Sequence, residues 1–313
     1  MKYFLKKLFA LIITLLIVSL FAFLAFQIIP GDPTTKILGT SATPEKVAEL
    51  RAQLGLDQPV LVRYWNWLTD ALHGDFGASY TYGQSVGSML AEKLPTTLLL
   101  TVMTFIITVV LSIPLGILAG SVRNRVLDRA ITALDQIFMS IPAFFIGMLA
   151  CYFFGLVLRV FTPGNYIYWN QSVAGCLTCL FFPALSIAIP RTAMTVKMLR
   201  GSILNEMNLD YVRTSRSRGN GRTASLLRHV LRNAMIPVIT FLALSLAEIM
   251  TGTIIIEQVF TIPGIGRLLL SSIGNRDYPV VQAIVVILAA WIVIVNFVAD
   301  ILNQVADPRL RLR

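Results

Sequence analysis

The feature that most restricts what this chain can become is the length of its apolar stretches. A helix that crosses a bilayer needs about 20 mainly apolar residues. Residues 8–29 meet that length without a charge and follow Lys2, Lys6 and Lys7. A secretory leader has an apolar stretch of only about 7–15 residues and a small-residue cleavage site, so 8–29 reads as a retained first span. Comparable runs occupy 97–120, 131–158, 172–189 (with helical continuation past Pro190), 236–256 and 279–298. The expected fold is an all-α integral membrane protein with six transmembrane helices. Composition agrees: 13% of residues are charged, against about 25% in an average soluble domain.

The 26 basic and 16 acidic residues leave a net charge of +10. A basic protein can bind nucleic acid, but position argues otherwise. With Lys2, Lys6 and Lys7 placed in the cytoplasm, six spans return the C-terminus to the same side. The cytoplasmic segments then also hold Arg123, Arg125, Arg129, Arg309, Arg311, Arg313 and the series from Arg191 to Arg232. The positive-inside rule accounts for that excess without nucleic acid.

This topology divides the chain into a first span (1–29), an extracytoplasmic segment with short helices (30–96) and a five-helix core (97–313). Within the outer segment, Thr43-Pro44-Glu45 is a helix start, and Gly55 is its stop. The aromatic stretch 59–72 suits either a packed cap or a membrane interface. Gly83-Gln84-Ser85-Val86-Gly87 fits the G-x-S-x-G nucleophile pattern. That chemistry needs a strand-to-helix elbow and a base, and His73 is the histidine on the same side. Ser85 reads more simply as the cap of a short helix ending near Leu94. A tucked helix is expected within 261–278.

The core carries a long cytoplasmic loop, 197–235. Apolar positions from Leu199 to Leu209 suggest one helix, 211–219 a short amphipathic piece ended by Gly219-Asn220-Gly221, and 223–234 a second helix, with Pro237 at the start of span five. Its arginines suit anionic lipid headgroups or a partner protein, and position alone leaves both open.

Several chemistries are missing. There is no G-x-x-x-x-G-K-[ST] loop and no H-E-x-x-H motif, so the chain is not expected to be an enzyme or to bind a cofactor or metal itself. Cys176 and Cys179 form a C-x-x-C inside span four, where burial disfavours thiolates. Ionisable groups within spans are costly. Glu248, in span five, marks either a translocation pathway or helix packing. Asp135 is a second pathway candidate, though it and Asp300 lie where pairing with Arg129, Arg191 or helix-end backbone would serve. Gly116 and Gly120 form a G-x-x-x-G pair that permits close helix approach.

The segments YVRTSRSRG (211–219) and LRHVLRNAMIPV (227–238) resemble the cytoplasmic loop of ABC importer permeases, and specifically the B-type permease subunit of the dipeptide/oligopeptide/nickel family. The resemblance runs through PGDP (30–33), LGLDQP (54–59), HGDFG (73–77), LPTTL (94–98), SIPAFFIGM (140–148), PGIGRLL (263–269), NRDYPVVQ (275–282) and DPRLR (307–311). Arg213-Thr214-Ser215 stands where the wider class has a Glu-Ala-Ala run. The resemblance implies a type I ABC importer permease fold in a bacterial-type inner membrane, moving di- or oligopeptides or, alternatively, nickel or metal chelates. It implies a second related permease subunit, two ATPase subunits holding ATP and Mg, and an extracytoplasmic substrate-binding protein. The ATPase-coupling helix it implies comprises Tyr211, Val212, Arg213, Thr214, Ser215, Arg216, Arg218 and Gly219. Tyr211 and Val212 are expected to anchor in the ATPase, and the arginines to meet its acidic rim. A stand-alone channel or carrier and a Ser85 hydrolase are the contrasting readings.

Overall fold

A computed structural model describes residues 2–28, 34, 38, 43–53 and 55–306. The motifs at 30–33 and 307–311, with Arg309, Arg311 and Arg313, lie outside the described residues. The described chain is built from α1 (Lys2–Ile28), α2 (Pro44–Gln53), α3 (Val60–Leu72), α4 (Val86–Ser121), α5 (Arg125–Ser140), α6 (Ala143–Ala150), α7 (Val173–Glu206), α8 (Asp210–Ser217), α9 (Arg222–Ser225), α10 (Leu231–Val259), α11 (Ile265–Gly274) and α12 (Tyr278–Ala306). A π-helical stretch, Cys151–Val157, extends α6, and another, Leu226–Val230, joins α9 to α10.

Five helical stretches are long and apolar enough to cross a membrane: Leu5–Phe26, Val86–Ser121, Val173–Glu206, Arg222–Val259 and Tyr278–Ile301. A sixth is a broken pair, Arg125–Ser140 with Ala143–Val157, bent by 88°. The expected third span is therefore not one straight helix. Pro142 forces the preceding Ile141 out of the helical region, and Ile141 sits at φ −82°, ψ 122°. Asn124 starts α5 by accepting from the Val126 and Leu127 amides. None of the α5 side chains is fully buried.

Three other expectations change. The short helix placed at 85–94 is the first part of α4, which runs unbroken through Pro95. The helix expected from Leu199 is the end of α7, which also contains Pro183 and Pro190. The separate helix at 223–234 is continuous with span five, through the π turn and past Pro237. A proline removes one backbone donor from a helix. Long apolar flanks hold the helix together across that gap, because in a bilayer no other structure satisfies the remaining backbone.

By packing, the chain forms two compact units. The first comprises the residues up to Thr96 together with Gly264–Val293, so it joins the 30–96 segment to part of 97–313. Here α3 is fixed to α1. The buried Tyr64 hydroxyl lies 2.8 Å from Ser19 Oγ and donates to the Leu16 carbonyl at 3.2 Å. Phe23 meets both Tyr64 and Trp67. The aromatic stretch thus packs on α1 through Tyr64, while Val60, Leu61, Val62, Trp65 and Leu72 on the rest of α3 stay exposed. Gly55, at φ +65°, ends α2 as expected, and α11 is the tucked helix expected after span five.

The same unit contains a polar anchor that periodicity does not reveal. Asp277 is fully buried. Its carboxylate accepts from the Ser79 hydroxyl at 2.5 Å, the Tyr80 amide at 3.0 Å and the Thr81 amide at 3.3 Å. The accepted loop is closed by Ser79 N–H to the Gln84 carbonyl and Val86 N–H to the Gly77 carbonyl, both 2.9 Å. Burial pushes the Tyr80 phenol above the ordinary tyrosine range; nearby Arg63 opposes this and Asp277 adds to it.

The second unit comprises Thr97–Pro263 and the residues from Ile294. One core gathers Leu100, Leu180, Ile187, Ile249, Ile256 and Phe260. A second gathers Leu199, Ile203, Val212, Leu226, Val230 and Val238. Close approach of α4 and α7 depends on Gly116 and Gly120. A Cβ at Gly116 would stand 2.7 Å from Leu199 Cδ2, and one at Gly120 2.9 Å from Ile203 Cγ2. Thr97, Thr101, Thr104, Thr108 and Ser112 continue the same spacing along α4, all fully buried. Glu257 is buried too and accepts from Thr97 Oγ1 at 2.6 Å.

Gly116→Val and Gly120→Val should each destabilise the purified chain by about 1–3 kcal/mol, read as a lower thermal midpoint in detergent. Gly201→Ala, which meets nothing within 4 Å, should be neutral or slightly stabilising. Asp277→Leu strands three donors and should cost at least about 2 kcal/mol, with faster proteolysis within 79–84; Asp277→Asn should be milder. Because the Tyr80 pKa is raised on folding, its contribution is complete below the ordinary tyrosine range and is lost as pH climbs above it. Tyr80→Phe should therefore flatten the alkaline loss of thermal stability.

Candidate functional site

The segment expected to couple to an ATPase forms α8 with its flanks. Leu209 is extended at φ −77°, ψ 153°, separating α8 from α7. At the other end Gly219 adopts φ +86°, a left-handed conformation that glycine takes without strain. The Gly219 amide donates to the Arg216 carbonyl at 2.9 Å, and the Asn220 amide to the Ser215 carbonyl at 3.3 Å. This pair of bonds is the Schellman ending. Hence the glycine stop read in the sequence has a defined geometry.

The α8 faces divide sharply. Val212 is fully buried in the chain's own core, and Ser215 is buried with its hydroxyl 3.1 Å from Ser225 Oγ. Asn220 Nδ2 donates to Ser215 Oγ at 3.2 Å. In this conformation Val212 is thus an internal anchor, not a side chain offered to a partner, because the 3.6-residue period puts it and Ser215 on the inner face. Arg213, Thr214, Arg216, Arg218 and Gly219 are exposed.

Tyr211 sits at the margin. Its hydroxyl donates to Glu206 Oε2 and accepts from Asn233 Nδ2 at 3.3 Å. Burial, followed by the Glu206 hydrogen bond, raises the phenol pKa above its ordinary range. Arg222 lies within electrostatic reach of Arg123 and Arg216. Like charges repel, so this basic surface favours an anionic neighbour. The exposed Arg213–Asp210 pair, at 3.5 Å, contributes little.

The membrane carboxylates separate. Glu248 is paired with Arg191, a residue sequence reasoning assigned to a cytoplasmic segment; it lies in the interior of α7 because that helix continues past Pro190. Asp128 pairs with Arg200, a contact sequence reasoning missed; the residues are 72 positions apart. Asp135 is half-buried, with Arg200 and Lys197 as nearby cations.

The contrasting chemistry finds little geometric support. His73 Nδ1 lies 2.8 Å from the Thr69 carbonyl, and Ser85 precedes α4 with its carbonyl accepting from the Met89 amide at 3.2 Å. Cys176 lies 3.3 Å from the Tyr166 hydroxyl, and Cys179 donates to the Asn165 carbonyl at 3.4 Å. Among the described residues no group of three His, Cys, Asp or Glu side chains is placed to hold a metal ion.

Known proteins resemble this chain in sequence or in fold. The y4tP peptide ABC transporter permease protein of Sinorhizobium fredii is 36% identical over 309 residues, covering 99% of both chains. The glutathione transport system permease protein GsiC of Salmonella typhimurium is 36% identical over 311 residues, again covering 99% of both. The fold matches the inward-facing MetNI methionine ABC transporter with a TM-score of 0.56 at 17% identity, over 70% of this chain and 96% of that one. Residues 1–101 match the family described as the N-terminal part of binding-protein-dependent transport system membrane components. Residues 112–312 match its principal domain, and the chain belongs to the family of binding-protein-dependent transport system inner membrane components, the permease subunits of ABC transporters.

Proposed function

We propose that this chain is one of two related permease subunits of an ATP-driven importer of short peptides. The observation that carries the reading is α8: a short helix with an exposed basic face, whose other face is locked into the transmembrane core through Val212 and Ser215. A separate ATPase subunit, holding ATP and Mg, receives the exposed face. Two ATPases closing on nucleotide move α8 and, through the shared core, α7 and α10. The N- and C-termini and α8 then lie in the cytoplasm, and the 30–96 segment faces an external substrate-binding protein. Arg213, Arg216 and Arg218 meet acidic residues on the ATPase or lipid headgroups at its edge.

Relatives named for peptide and glutathione transport favour a peptide cargo over a metal chelate. Both are chains of amino-acid units with charged ends, and the import direction follows from the binding-protein-dependent family.

Gly219→Pro removes a φ of +86° that proline cannot adopt, and Tyr211→Ala removes the Glu206–Asn233 contacts. Each should reduce ATP-driven dialanine uptake about 10-fold or more (about 1.4 kcal/mol per factor of ten) in reconstituted complexes that still assemble. Full uptake by both variants would refute coupling through α8.

A further inference from the structure

The Arg191–Glu248 ion pair is in an unusual place. At 1.5 Å per residue, Glu248 is about 18 Å along the helix from Ile236 and about 12 Å from Ile256, well inside the apolar run. Arg191 reaches the same depth from α7. Yet the pair is not enclosed: Glu248 keeps 61% of its side chain exposed and Arg191 keeps 22%. Leu244 and Ile255, close along α10 on either side, are exposed as well. A charged pair facing lipid at this depth is expensive, and such groups face a cavity or a water-filled path. By contrast, the Glu257 carboxylate, nine residues further along α10, is fully buried.

We infer that Arg191 and Glu248 form a subsite of the translocation pathway for the charged ends of a zwitterionic peptide, Glu248 taking the ammonium and Arg191 the carboxylate. This rests on the peptide reading above. The empty pair closes on itself, so its net charge is zero. A zwitterion supplies one charge of each sign, and the exchange leaves every charge paired. A solute with only one charge leaves Arg191 or Glu248 without a partner at membrane depth, which is costly. The planar guanidinium suits a carboxylate, and an exposed carboxylate suits a compact ammonium. Because the pair's own contact competes with substrate, binding stays weak enough for release, as conduction requires.

The test uses the full chain assembled with its co-purifying subunits in proteoliposomes. Glu248→Gln and Arg191→Gln should each reduce ATP-driven dialanine uptake at least about 10-fold, the scale of one charge-assisted hydrogen bond. Complex assembly should remain intact, and wild-type uptake by either variant would overturn the proposal. A second readout does not need uptake. In a background with Cys151, Cys176 and Cys179 replaced by Ser, the thiol of Glu248→Cys should react with a charged, membrane-impermeant methanethiosulfonate. In a background that keeps Glu248, the thiol of Arg191→Cys should also react, and dialanine should slow it more than N-acetyl-dialanine amide, which has no charged ends. An unreactive thiol at both positions overturns the subsite. Reactive thiols that neither compound slows overturn the zwitterion assignment. If wild-type complexes import a different solute and no dialanine, the peptide reading fails separately, and the labelling result still decides whether the pair lines a pathway.

Discussion

The burial of Val212 beneath the ends of α7 and α10 is the contact on which the mechanical account depends. A short surface helix is mobile unless something fixes it, and α8 has only eight residues. Val212 inserts into the core formed by Leu199, Ile203, Leu226 and Val230, and the Ser215–Ser225 hydroxyl contact reinforces the seat. A force on the exposed arginines is therefore delivered to side chains of two membrane-spanning stretches. A loop bound only to lipid headgroups needs no such internal anchor. Gly219 completes the unit by ending the helix with both Schellman bonds made.

The membrane imposes the second constraint. Buried polar groups need partners because no water is available to them. Glu257 has Thr97 and Asp277 has three donors. These contacts join segments far apart in sequence, and in each the partner sits on a different helix or loop. Arg191 with Glu248 follows the same pairing rule but remains open to the surroundings. That difference in exposure separates a structural pair from one available to a solute.

Much of the fold was legible because apolar length and helix punctuation are local signals. The six stretches, the Gly55 and Gly219 stops and the tucked α11 all emerge from short windows. Misreadings arose where a local breaker met a longer-range constraint. Pro95 and Pro237 suggested boundaries, yet the helices run through them. Pro142 behaved in the opposite way and bends its helix pair by 88°. Exposure was also illegible in part: the α8 spacing implies one inner and one outer face, but only the packing assigns Val212 to the inside. The partners of Asp277 and Arg191 could not be read, because tertiary packing chooses them.

Site-directed cross-linking on α8 tests the central claim most directly. With the native cysteines replaced, Arg216→Cys and Val212→Cys would each be treated with a short thiol cross-linker in the assembled transporter. The account predicts a covalent product between this chain and an ATPase subunit for Arg216→Cys, on the exposed face, and none for Val212→Cys. A product from Val212→Cys alone, or no product from Arg216→Cys in an intact complex, would contradict it.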